Sequence, residues 1–209
     1  MDDVEKWPLP SPDDFDYSAI TKACEQFGDY AVVYGGAGLC DIINCTGDDL
    51  GTQSGPMISL DVYRARLKPW HKRFADLAKS FNIPVMIHSC WSSSWAFNDF
   101  FEIGISVIDT LQPEALNMAP AHLKKTYGDR LAFHGCISTA GPVSFGTPET
   151  TIEDARQVLK TMMPGGGYCF SPTHMLMAWL LCLNRERLLK MDALRICLRQ
   201  AVTLPRWST

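Results

Sequence analysis

The sequence predicts an α/β fold built on a parallel sheet, and three observations lead there. Short, apolar, often β-branched runs alternate with longer stretches of helical period. Several of these runs carry no polar alternation, as strands covered on both faces do. Reactive polar side chains recur just after successive runs, where the site of a βα fold lies. Strand, helix, strand, helix repeated from residue 41 onward means a parallel sheet, and both an open doubly wound sheet and a (β/α)8 barrel accept it.

Each element has a local reason. Residues 1–18 are acidic and proline-rich and read as a polar lead-in. The strand candidates are 30–34, 41–45, 84–88, 106–110, 131–135 and 167–170. A helix is expected from about Ser59, with Tyr63, Leu67, Trp70, Phe74, Leu77 and Ala78 on one face, and Pro69 should kink or split it. Ser92 to Ser94 can cap a helix running to about Ile103, and a helix near 120–127 stops at Gly128. The clearest start is Thr147 as N-cap, Pro148 at the first helical position and Glu149 in the first turn. That helix carries the stripe Ile152, Ala155, Val158, Leu159 and Met162. A last helix covers roughly 184–199, and the tail 201–209 has no regular pattern.

Composition bounds the class. The chain has 209 residues, 46% hydrophobic and 20% charged, which fits one globular domain over 19–200. A net charge of −4 without basic–aromatic interleaving argues against nucleic acid. No export leader is visible at the N-terminus, and the apolar stretch 175–183 falls well short of the ~20 residues a membrane span needs. Eight cysteines without a leader point to reduced thiols and a cytoplasmic protein.

The strand ends hold the candidate chemistry. Asp48 and Asp49 follow the second strand, His88 and Cys90 the third, Asp109 and Gln112 the fourth, and His134 and Cys136 the fifth. Tyr168, Cys169 and His174 lie on or after the sixth. In extended His88-Ser89-Cys90 the imidazole and thiol point to one side, and nitrogen plus sulfur favours zinc over magnesium or calcium; the bland alternative is a buried thiol beside a hydrogen-bonded histidine. Asp48 and Asp49 cannot both face one pocket, so one binds substrate while the other anchors the loop, or both form a solvated turn. His174 is either a proton donor and substrate contact or a helix-start histidine. His134 reads as a satisfied core histidine, and His71 and His122 as structural. The segment Pro164-Gly165-Gly166-Gly167 is either a helix-to-strand turn or an anion cradle, with the turn favoured. Trp91 and Trp95 either wall an aromatic pocket or pack.

Taken in order, the blocks DDLGTQSGPMIS (48–59), PVMIHSC (84–90), DTLQPEALNM (109–118), GDRLAFHGCIST (128–139), SFGTPET (144–150) and PGGGYCFSPTH (164–174) resemble the uroporphyrinogen decarboxylase superfamily, which includes corrinoid-dependent methyltransferases. The resemblance spans roughly 41–190. It implies a (β/α)8 TIM barrel, here incomplete with about six strands, with its site in the barrel mouth. A complete barrel takes about 250 residues, which makes this chain short for the architecture and raises the prospect of a homo-oligomer or a non-catalytic binding remnant.

The resemblance implies two chemistries. Methyltransferases of the superfamily use zinc to activate a thiol that accepts methyl from a corrinoid protein, and His88 and Cys90 match their His-x-Cys. Their further cysteine falls at Gly166 here, so the third ligand is left to Cys136, Cys169 or His174. Decarboxylases need no metal or cofactor and hold an acidic tetrapyrrole with N-terminal arginines, whereas the first arginine here is Arg64. In that alternative Asp48, Asp49 and His174 are the catalytic candidates, and Ser138 stands where an aspartate is common. Gln53, Gln112, Tyr168 and Trp91 are expected to contact the small-molecule substrate in either case. The methyltransferase-like reading is preferred, because His-x-Cys is present and the arginine segment is not.

Overall fold

The computed structural model describes residues 12–26 and 49–174. The chain divides into two units, 1–36 and 37–209. Within the first, a 3-10 turn at Pro12–Asp14 precedes helix α1 (Ser18–Gln26). Asp16 caps this helix: its carboxylate accepts from the Ser18 backbone N–H at 2.8 Å. The polar lead-in therefore contains an ordered helix start. The strand candidates 30–34 and 41–45, the helix 184–199, the tail 201–209 and Asp48 lie outside the described residues.

The second unit is an α/β structure. A two-stranded antiparallel hairpin, β1 (Gly51–Thr52) and β2 (Gly55–Pro56), precedes the main sheet. That sheet has four parallel strands in the order β3 (Val85–His88), β4 (Ile105–Leu111), β5 (Ala132–Ile137) and β6 (Tyr168–Pro172). Each crossover carries a helix: α4 (Phe97–Glu102), α5 (Pro120–Tyr127), then α6 (Pro142–Phe145) with α7 (Pro148–Met162). Before β3 come a short turn of helix, α2 (Leu60–Val62), and α3 (Lys68–Ser80). Among the described residues no helix is long and apolar enough to cross a membrane.

Alternation along the strands separates two faces. Ile87, Ile108, Phe133 and Tyr168 align across the sheet by register and are buried in the core with Phe100, Leu123, Val158 and Met162 of the helices. The residues one step on, His88, Asp109, His134 and Cys169, form the neighbouring row on the opposite face. At α7 the expected start is observed: the Thr147 side chain accepts from Thr150 N–H, the Thr150 hydroxyl accepts from Thr147 N–H, and Pro148 opens the helix.

Two local expectations are corrected. The helix does not stop at Pro69, which lies in the first turn of α3. A wide π turn over Tyr63–Leu67 inserts one residue, so a ring without an N–H is accommodated near the start of α3. The extra residue shifts the buried stripe to Tyr63, His71 and Ala75, leaving Trp70, Phe74 and Leu77 exposed at 50%, 39% and 59%. The serines before α4 do not cap it either. A 3-10 turn at Ser94–Ala96 starts there, Ser93 Oγ donates to the Ser89 carbonyl, and Ser94 Oγ donates to the Asn117 carbonyl.

Buried Asp99 on α4 locks the π segment to the sheet layer. It accepts a two-pronged pair from Arg64 at 2.9 and 3.0 Å and a third bond from Lys68 at 2.7 Å. The bound guanidinium and ammonium hold its carboxyl below the ordinary range against the opposing effect of burial.

Candidate functional site

The loop before β1 is pressed flat against the loop after β3. A Cβ on Gly51 would lie 2.4 Å from the Ser92 carbonyl oxygen, so only glycine fits there. Ser92 N–H donates to the Thr52 carbonyl at 3.1 Å, and Leu50 N–H donates to Ser89 Oγ. This contact delivers Asp49 to the end of β3, where its carboxylate accepts from Cys90 N–H at 2.9 Å. One ligand atom each from Asp49, His88 and Cys90 then lies within 4.8 Å of the other two. His88 Nε2 is 3.3 Å from Cys90 Sγ and 4.0 Å from Asp49.

His88 is held from behind. Its Nδ1 lies 2.8 Å from Asp109 Oδ2 on β4, and Thr110 Oγ1 is also 2.8 Å away. A carboxylate is an acceptor, so we assign the proton to Nδ1, which leaves the Nε2 lone pair facing Cys90 and Asp49. Thr110 reaches His88 because its backbone is left-handed at φ 64, next to the register shift between Ile108 and Leu111. A bulge of this kind breaks strict alternation and turns two successive side chains toward one face. Trp91 (φ 66) and Cys136 (φ 71) share the left-handed conformation, which costs a non-glycine residue of order 1–3 kcal/mol.

Asp109 bridges two imidazoles. Its other oxygen lies 2.5 Å from His134 Nδ1 on β5, and His134 registers with Cys169 on β6. Four parallel strands therefore contribute one continuous polar row, His88–Asp109–His134–Cys169. Hydrogen bonds from the two imidazoles hold the Asp109 carboxyl well below its usual value despite burial. The same carboxylate raises His88 and pushes His134 up to about 9. Burial, helped by the nearby Asp49 charge, pushes the Cys90 thiol up to about 12; burial does the same to Cys136.

The candidate residues divide accordingly. Asp49, His88 and Cys90 come together, while Cys136, Cys169 and His174 fall outside that group. The group that lies beside His88 and Cys90 and could offer a third ligand atom is Asp49, brought there by the loop contact at Gly51. Tyr168, expected as a substrate contact, faces the helices in the core, and its hydroxyl donates to the Gly135 carbonyl at 2.7 Å. His134 is half-buried and bound to Asp109, whereas a core position had been expected. Gln112 is buried directly after β4 with no partner for Oε1, and Ser138 Oγ after β5 is likewise unpartnered among the described residues. Gln53 sits exposed in the β1–β2 turn, and His174 is exposed after β6. Trp95 packs on Tyr63 edge-on, while Trp91 stays partly exposed beside Cys90. The Gly165–Gly167 segment is a turn. Gly166 N–H is spent on the Met163 carbonyl, and the Gly166 carbonyl accepts from Lys124 at 2.5 Å.

Asp109 is legible in the sequence as a strand-end residue, but its bridging role is not. The available signal was a repeated couple, an apolar residue followed at once by a reactive one: Ile87-His88, Ile108-Asp109, Phe133-His134 and Tyr168-Cys169.

Residues 16–180 match the family model described as uroporphyrinogen decarboxylase (URO-D). Comparisons with curated proteins and with solved structures gave no match.

Proposed function

The chain belongs to the uroporphyrinogen decarboxylase (URO-D) family, and from that membership we propose that it is a zinc-dependent, methyltransferase-like enzyme that takes methyl from a corrinoid protein. The observation that carries this reading is the convergence of Asp49, His88 and Cys90 with Asp109 behind the imidazole. The donors are an oxygen, a nitrogen and a sulfur, a set that suits zinc and is too soft for magnesium or calcium. When bound, zinc supplies a Lewis acid that turns a substrate thiol into a thiolate nucleophile.

The chain's own residues prepare that chemistry. Asp109 fixes the tautomer of His88 and aims Nε2 at Cys90 and Asp49. Asp49 stabilises the Cys90 loop by accepting its backbone N–H. Without a metal the Cys90 thiol keeps its proton at neutral pH, so metal uptake releases that proton and binding strengthens as pH rises. Gln112 Oε1 offers a buried acceptor for a substrate N–H or O–H donor. Arg64 is committed to Asp99, which supports the methyltransferase-like reading over capture of a polyanionic tetrapyrrole by this arginine.

Metal analysis of the purified chain tests the proposal. About one zinc per chain is expected, with loss of that zinc in Cys90→Ala. A well-folded protein without stoichiometric zinc would overturn it, and carbon dioxide release from uroporphyrinogen by that metal-free protein would establish the decarboxylase alternative.

A further inference from the structure

The far end of the polar row has a chemistry of its own. Cys169 is exposed, whereas Cys90 and Cys136 are buried. Its β6 position registers with His134 on β5, which sets the two side chains side by side on one face of adjacent strands. His134 is in turn bound through Nδ1 to Asp109 on β4 at 2.5 Å. Thiol, imidazole and carboxylate thus stand in sequence on three adjacent strands, the order in which a histidine activates a nucleophile and a carboxylate orients the histidine. No residue of this row donates a ligand atom to the Asp49–His88–Cys90 group except His88 itself.

We propose that Cys169, with His134 and Asp109, is a second reactive centre, a thiol that exchanges with small disulfides and becomes S-thiolated. The Cys169 thiolate attacks one sulfur of the disulfide, the S–S bond breaks, and a new bond to Sγ forms. The departing thiolate takes a proton from the His134 imidazolium. The products are a mixed disulfide on Cys169, one free thiol and a neutral imidazole, with no further oxidant required. His134 carries that proton at neutral pH because Asp109 stabilises its charged form. The ionisable groups around the pair come from each packed strand: His134 on β5, Asp109 on β4, and His88 beyond it on β3. Tyr168 and Asp154 stand nearby on the other side of β6. Exposure together with a neighbouring imidazolium is what separates reactive thiols from inert buried ones.

The test is the rate at which oxidised glutathione modifies each cysteine of the full chain at pH 6.5, followed by peptide mass mapping. An ordinary thiol is only about 1% ionised there. Cys169 in the folded chain should react about fivefold faster than the same residue in urea-unfolded chain. His134→Gln should remove that advantage. Equal rates in wild type and a folded His134→Gln variant would overturn the proposal. So would a folded-state rate at or below the unfolded one, a comparison that needs no variant. Zinc measured on the same samples reads the His88 site separately, so failure of either centre is distinguishable.

Discussion

The two faces of the four-stranded sheet differ by a one-residue step and do opposite work. On the helix side, Ile87, Ile108 and Phe133 are wholly removed from solvent and Tyr168 nearly so, and each full burial contributes roughly 1.5–3 kcal/mol. On the other side, His88, Asp109 and His134 remain 42%, 17% and 33% exposed and are joined by hydrogen bonds. The first face stabilises the sheet without chemical selectivity. The second gives up apolar burial for an ordered set of reactive groups. The same strands serve both because a strand presents successive side chains to opposite sides.

The sharpest way to break this contrast is to change one residue on each face of one strand. Phe133→Ala should destabilise the fold by about 3–5 kcal/mol through lost burial and the cavity left behind, read by denaturant titration. His134→Gln, the next residue, should cost much less. Comparable losses would mean that the polar row is also a structural core. Next in size, Asp109→Asn should weaken zinc binding by about 10–100-fold in a chelator competition while the fold survives, because the amide no longer enforces the His88 tautomer. Unchanged affinity would remove Asp109 from the metal site's support.

A smaller effect comes from pH. His134 has a folded pKa of about 9, above its ordinary 6.5, so its contribution is complete below about pH 6.5 and is lost as pH rises through about 9. Asp109 has the opposite sign: its contribution is present above about pH 4 and is lost as acid protonates it at its lowered value. In chelator, the melting temperature should therefore fall between about pH 6.5 and 9, and His134→Gln should flatten that fall. An identical slope in the variant would show that the pair contributes nothing. Smallest, Trp91→Gly should raise stability by about 1 kcal/mol by relieving the left-handed backbone, measured as a melting shift. A lower melting temperature would mean that the Trp91 side chain contributes more than its backbone costs.

Legibility in the sequence followed how local each cause is. The strand candidates 84–88, 106–110, 131–135 and 167–170 fall on β3 to β6 to within two residues, because continuous apolar runs between turn signals need no tertiary information. Thr147, Pro148 and Glu149 mark a helix start within three residues of one another, so its cause is local. Trp70, Phe74 and Leu77 leave the expected stripe of α3, while Ala78 keeps its place against the core, because one residue of π turn rotates the later positions and hydrophobic period alone does not register that insertion. The face of Tyr168 was not legible for a related reason: it depends on which side of β6 meets α7.

His88 and Cys90 were legible as a pair because two residues on one strand share a side by geometry alone. The order of strands and helices, the cap of α7 and the apolar-then-reactive couple on each strand were all settled by amino-acid order, since each rests on near neighbours in the chain. Only the tertiary structure decided that Asp49 completes the His88–Cys90 group and that Asp109 joins two histidines. Those meetings depend on the register between strands, the bulge at Thr110 and the close approach that Gly51 permits. Each is set by packing between segments tens of residues apart, where no local spacing carries the information.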